Sequence, residues 1–202
     1  MPPFSVRLDP FNWLLEGRLG FELEAGLLDW MSVEVVPTFI VDSTPATLNF
    51  TGGTDPLRQA SDGLGPMSGS SIGLGFWPGG KALRGTVLRF IYQVNAMEYR
   101  TVDEGRTVDR LTHTEQALLG MIGSHSRIGA FTIAGGFGLG VDMNEEERCY
   151  GRSDGIAGEP TGRGCGELHL ALDRDVKSVY DVGGFAYPVL IAGRISLGAT
   201  FD

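Results

Sequence analysis

Residues Tyr187 to Phe201 read YPVLIAGRISLGATF, and the period of this stretch decides the fold. From Val189 its odd positions are Val189, Ile191, Gly193, Ile195, Leu197, Ala199 and Phe201; the even ones include Arg194, Ser196 and Gly198. Side chains alternate across a β-strand, so one face is continuously apolar and the other polar or very small. A tilted strand of about 9–11 residues crosses a bilayer. The stretch therefore reads as a lipid-facing strand that closes a small transmembrane barrel.

The same period recurs upstream. Val6, Leu8 and Pro10 alternate with Arg7 and Asp9, which predicts a first strand over about 5–14 whose phase slips near Phe11 to Trp13. Leu19, Phe21 and Leu23 alternate with Arg18, Glu22 and Glu24 after a tight turn at Glu16-Gly17. Further strands are read at Met31 to Val41, Ile72 to Phe76, Leu88 to Ala96 and Phe131 to Val141, with a poorly alternating one over 110–123 that its neighbours require. Short connections are expected at 25–29, 78–81 and 124–127, all on one side; long external loops are expected at about 43–69, 100–109 and 143–184. Residues 166–182 fit a strand through Leu168, Leu170 and Leu172, or a helix through Leu168, Leu172, Val176 and Val179. A ninth strand would give an odd number, rare in bacterial barrels, so a short loop helix is expected. The expectation is all-β: one domain over 1–202, an eight-stranded antiparallel up-and-down transmembrane β-barrel.

Composition is compatible with this and excludes other classes. There is no run of 18 apolar residues and hence no transmembrane helix. A mean hydropathy near zero is what alternation produces in a membrane barrel. Thirty-one glycines against ten prolines suit turns and a crowded barrel interior. The net charge of −9 argues against a nucleic-acid partner, because phosphate contacts need clustered Lys and Arg. The opening MPPFSVRLDPF lacks a basic segment followed by an apolar one, so an outer-membrane location expects a mature chain with a start Met added. Cys149 and Cys165 lie in one polar, Gly-rich segment, where an oxidising compartment would allow a loop disulfide; the alternative is two thiols.

With apolar faces outward, the inward positions are Arg7, Asp9, Arg18, Glu22, Glu24, Glu34, Arg89, Gln93, Asn95 and Arg194. Eight strands enclose a bore that side chains just fill, and buried charges must pair. The four Arg and four carboxylates are read as an interior salt-bridge plug, with small residues (Ala130, Gly136, Gly138) leaving room for the Arg side chains. The rival reading is a gated ion pathway through the same charges. Trp30, Trp77, Phe131 and Phe201 are expected at one rim, where aromatics gather at a bilayer interface. His113, His125 and His169 are read as solvated; Ser124-His125-Ser126 could be fitted to a Ser/His site, but no shared strand face supports it. The run Asp142, Asn144, Glu145, Glu146, Glu147 lacks the Gly and distant Glu of a calcium loop and is read as an acidic rim. No cofactor, metal site or catalytic group is expected.

The alternating segments, the short-turn and long-loop asymmetry and the ending Ile195-x-Leu197-x-Ala199-x-Phe201 resemble the small eight-stranded outer-membrane barrels of the OmpA-like and OmpX-like group. The ending is similar to the C-terminal signal of such barrels, with the departure that Asp202 follows the Phe. The opening NWLLEGRLGFELEAGLLDWMSVEV also looks like envelope barrels of unknown function. The resemblance implies a bacterial outer-membrane location, membrane lipid as surroundings and a non-enzymatic protein, either structural or recognising a protein partner through its external loops. The alternatives are a lipid-modifying outer-membrane enzyme and a soluble lipocalin-like calyx that binds apolar ligands.

Overall fold

The structure is a computed structural model, and it describes residues 2–10, 18–40, 63–64, 68–103, 106–151 and 189–202. Eight antiparallel strands follow one another: β1 (Phe4–Asp9), β2 (Arg18–Leu28), β3 (Met31–Ile40), β4 (Ser68–Phe76), β5 (Gly85–Asp103), β6 (Arg106–Ile128), β7 (Phe131–Gly151) and β8 (Val189–Phe201). Each pairs with the next, and β8 pairs with β1. The sheet therefore closes into the barrel that the two-residue period predicts. A two-residue ladder, Gly63–Leu64, adds to β5 at Tyr99 and Arg100.

The register sets the barrel's shape. A row of paired residues leaves β7 at Phe131 and passes Ala199, Val6, Leu23, Val35, Ile72, Tyr92 and Leu118. It re-enters β7 at Val141, ten residues further along the same strand. Eight strands with that climb tilt by about 40° to the axis, so each residue rises about 2.5 Å. Close backbone approaches at glycines shape the wall. A Cβ at Gly138 would meet the Gly120 carbonyl oxygen, and one at Gly198 would meet that of Val6.

Burial is inverted relative to a water-soluble core. Inward positions carry Arg7, Glu22, Glu24, Glu34, Arg89 and Arg194, all buried. Outward positions carry Phe21, Leu74, Phe90, Phe137, Leu139 and Ile195, all exposed. Among the described residues, apolar side chains in the bore form two small clusters: Ile91, Ala117, Leu119, Met121 and Ala192, and then Trp77, Leu83 and Val87.

Several sequence expectations are corrected. Of the loop expected over 100–109, residues 100–103 belong to β5 and 106–109 to β6. Of the external loop expected over 143–184, residues 143–151 belong to β7, paired with β6 as far as Asp109, and the rest lies outside the described residues. Of the loop expected over 43–69, Ser68 and Gly69 belong to β4. Ladder hydrogen bonds come from the backbone, so polar side chains do not end a strand that has a neighbour. Beyond Ala96, Gln116 and Val141 the three strands β5, β6 and β7 form an arm above the barrel. The turns expected at 25–29 and 124–127 lie further on, at Asp29-Trp30 and Gly129-Ala130, so Ala130 sits in a turn and is not an inward residue. Gly129 supplies the left-handed backbone there (φ 64°). The loop helix over 166–182, together with Cys165 and His169, lies outside the described residues, as do the side chains of Arg18, His113 and Cys149.

Candidate functional site

The chemistry of this barrel sits in its bore, where alternation brings inward side chains from six strands to one level. Four of the long side chains face a glycine across the sheet. Arg7 stands opposite Gly198, Arg89 opposite Gly75, Arg194 opposite Gly136 and Glu34 opposite Gly73. The missing side chains leave the volume that guanidinium and carboxylate groups need in so narrow a bore.

Three arginines and three glutamates form one connected set. Arg7 donates from Nε to Glu22 Oε2 (2.8 Å) and from Nη2 to Glu24 Oε2 (2.7 Å) and Glu34 Oε2 (3.3 Å). Arg194 grips Glu34 with two bonds of 2.7 Å, one to each oxygen, and its Nε lies 3.2 Å from Glu22 Oε1. Arg89 reaches Glu24 Oε2 at 3.1 Å and lies 3.5 Å from Glu34 Oε2. Glu24 and Glu34 are direct cross-strand partners. Two like charges so placed repel; Arg7 and Arg89 lie against both and turn the pair into a bridge. Two-pronged Arg–carboxylate contacts are the strong form of this interaction.

Hydroxyls complete the set. Ser196 donates to Glu22 Oε2 (2.8 Å), Ser32 to Glu24 Oε1 (2.7 Å), and Arg7 Nη1 donates to Ser5 (2.8 Å). Thr200 links Ser5 to Thr132. Each of these hydroxyls lies two residues from another inward residue on its own strand, so the two-residue period carries a signal for them that charge alone does not. Asp9, Gln93 and Asn95 are buried nearer the other end.

Two residues sit elsewhere than the sequence places them. His125 is not a solvated turn residue. It lies inside β6, buried in the bore, with Nε2 at 2.5 Å from Arg89 Nη2. A guanidinium nitrogen can only donate, so Nε2 accepts and the ring proton is on Nδ1. Nδ1 has no hydrogen-bond partner among the described residues. The flanking Ser124 and Ser126 point outward, so the Ser-His-Ser run shares no face. Its misplacement follows from the turn: once the strand runs to Ile128, His125 has inward parity.

Trp77 is not a rim aromatic. Its ring is buried in the bore (1% exposed), where Nε1 donates to Ser32 (2.9 Å). It meets His125 edge to face at 4.9 Å, and Arg89 lies 5.9 Å above it. Trp77 is the first residue after β4, and the Trp77–Arg84 connection folds back under the barrel. There Leu83 adopts φ 62°, a left-handed conformation that costs an ordinary residue about 1–2 kcal/mol. Burial of its side chain beside Trp77 and Val87 offsets that, at about 1.5–3 kcal/mol. Trp30, Phe131 and Phe201 are exposed at this end, and Trp30 stacks on Phe76 with centroids 6.1 Å apart. Arg127 joins Asp202 at 2.6 Å and Gly129 O at 2.6 Å, tying the end of β8 to the turn after β6. That hydrogen bond holds the Asp202 carboxyl below the usual carboxylate range.

Among the described residues, no three His, Cys, Asp or Glu side chains come together as a metal site. The acidic run 142–147 lies on β7, with Glu145 opposite Glu115 and Glu147 opposite His113.

No protein-family model and no curated protein matches the chain. Among solved structures it is similar to a major outer membrane protein from Thermus thermophilus, at 12% identity and a TM-score of 0.46, over 100% of both chains.

Proposed function

We propose that this chain is a non-enzymatic transmembrane barrel of the bacterial outer membrane, of the small OmpA-like and OmpX-like kind. Its bore is filled by ion pairs, and its role is structural or partner-recognising. The observation that carries the membrane reading is the outward face of β7. Phe131, Ile133, Phe137, Leu139 and Val141 all point out and are exposed, Phe137 by 71%. Ten residues at about 2.5 Å each span about 25 Å, the height of the apolar band of an outer-membrane barrel. A soluble calyx needs the opposite arrangement, apolar inside and charged outside. Above the band, the arm of β5, β6 and β7 rises by about 20 Å and presents the surface on which recognition would act.

Phe137→Arg tests the membrane reading, since the residue lies near mid-height of the band. In a bilayer this change costs about 2–4 kcal/mol. On the surface of a soluble protein it stays within about 0.5 kcal/mol. Urea unfolding in lipid vesicles reads the difference. A variant as stable as the parent, or a parent that is monodisperse without detergent, would overturn the reading.

A further inference from the structure

The ion-pair network explains the middle of the bore but not its lower end. At that end the last inward residues of four strands are Ser5, Thr200, Ser32 and Thr132, each one residue from the start or end of its strand. Inward residues at an open mouth would be wet. All four are at 0% exposure. Something other than the wall covers them.

We propose that the Trp77–Arg84 connection is a stopper that seals the bore at the turn end, in series with the ion pairs, and that Leu83 is its sealing residue. The other two connections at this end, Asp29-Trp30 and Gly129-Ala130, are tight turns that bury nothing. This one is longer and turns inward. It places Trp77, Leu83 and Val87 together at the turn end of the bore, as an apolar layer beneath Arg89 and His125. Its backbone bends to do so, because Leu83 holds a left-handed conformation with its side chain 1% exposed. A side-chain hydrogen bond from Trp77 to Ser32 ties the layer to the charged set above it. The stopper belongs to a connection and not to the wall, so its closure is separable from that of the barrel. The bore is then a vessel closed below, and any solute or partner group that enters it comes from the loop end. This rests on the closed barrel alone and stands whether or not the barrel spans a membrane.

The test uses the detergent-folded full chain with Trp77 as its sole tryptophan, the other two of the three being replaced (Trp13→Phe, Trp30→Phe). Acrylamide quenching reads access to Trp77, and the mobility difference between boiled and unboiled protein reads barrel closure. With Leu83 present, Trp77 should be quenched several-fold less than N-acetyltryptophanamide. Leu83→Gly keeps the left-handed backbone and removes the seal, so quenching should rise several-fold while the mobility difference persists. Leu83→Asn, also tolerant of that conformation, should do the same and serves if the glycine variant does not fold. The proposal is overturned if Trp77 is freely quenched with Leu83 in place. It is equally overturned if Trp77 stays protected in the folded variants, or becomes accessible only when the mobility difference is lost.

Discussion

Glu24 shows what a single residue does in this bore. Its two oxygens accept from Arg7, Arg89 and Ser32, and through Ser32 from Trp77. Removing one member of a buried ion-pair set leaves an uncompensated charge, which costs about 3–5 kcal/mol. Glu24→Gln should therefore lower the unfolding free energy by about that amount in urea titrations from vesicles; a loss under about 1 kcal/mol would mean that the network does not hold the barrel together. Asp202 is the opposite case, exposed and at the surface. Its carboxyl titrates below the ordinary value because Arg127 donates to it. A depressed folded value stabilises the folded state above the ordinary Asp value of about 3.9 and ceases to do so as pH falls through the folded one. Parent and Asp202→Asn should thus differ slightly at neutral pH and converge in acid. A difference that grows on acidification would contradict the contact. The charged residues of the bore were legible from their parity in the sequence. His125 and Trp77 were not, because each depends on where a turn falls, and a turn shifted by a few residues changes what its neighbours face.

The arm is the element whose behaviour the strand lengths define. β5, β6 and β7 span 19, 23 and 21 residues, against 6 to 13 in the other five strands. Their upper parts pair with one another, and the Gly63–Leu64 ladder adds to β5. The barrel below closes through pairs that none of them supplies. Excising 98–112 and joining Met97 to His113, which flank the Glu98↔Thr112 pair, through an Asn-Gly turn should leave the heat-dependent mobility shift intact. Loss of that shift would make the arm part of the barrel's folding unit. Alternation read from the sequence stopped short of the arm, since charged runs there such as Glu145-Glu146-Glu147 break the apolar period.

At the scale of the whole molecule, the register decides what the bore can pass. Eight strands climbing ten residues enclose a backbone cylinder of about 8 Å radius, room for side chains and little else. The three arginines and three glutamates inside cancel in charge and engage one another directly. The parent protein in planar bilayers should therefore carry no steady ion current. Long-lived open levels of uniform size would favour the ion-pathway reading over the plug.

The sequence by itself determined the class of this protein. An alternating period places apolar and charged residues on opposite faces of every strand, and that pattern survives without knowledge of neighbours. It also marked Arg7, Glu22, Glu24, Glu34, Arg89 and Arg194 as inward, because parity along one strand suffices. Only the tertiary structure decided which of these charges meet, that His125 accepts from Arg89, and that Trp77 and Leu83 lie under the network. Those contacts join residues 160 and more positions apart, as in Arg194 with Glu34. They depend on the ten-residue climb around the barrel, a property of all the strand registers together that no single segment encodes.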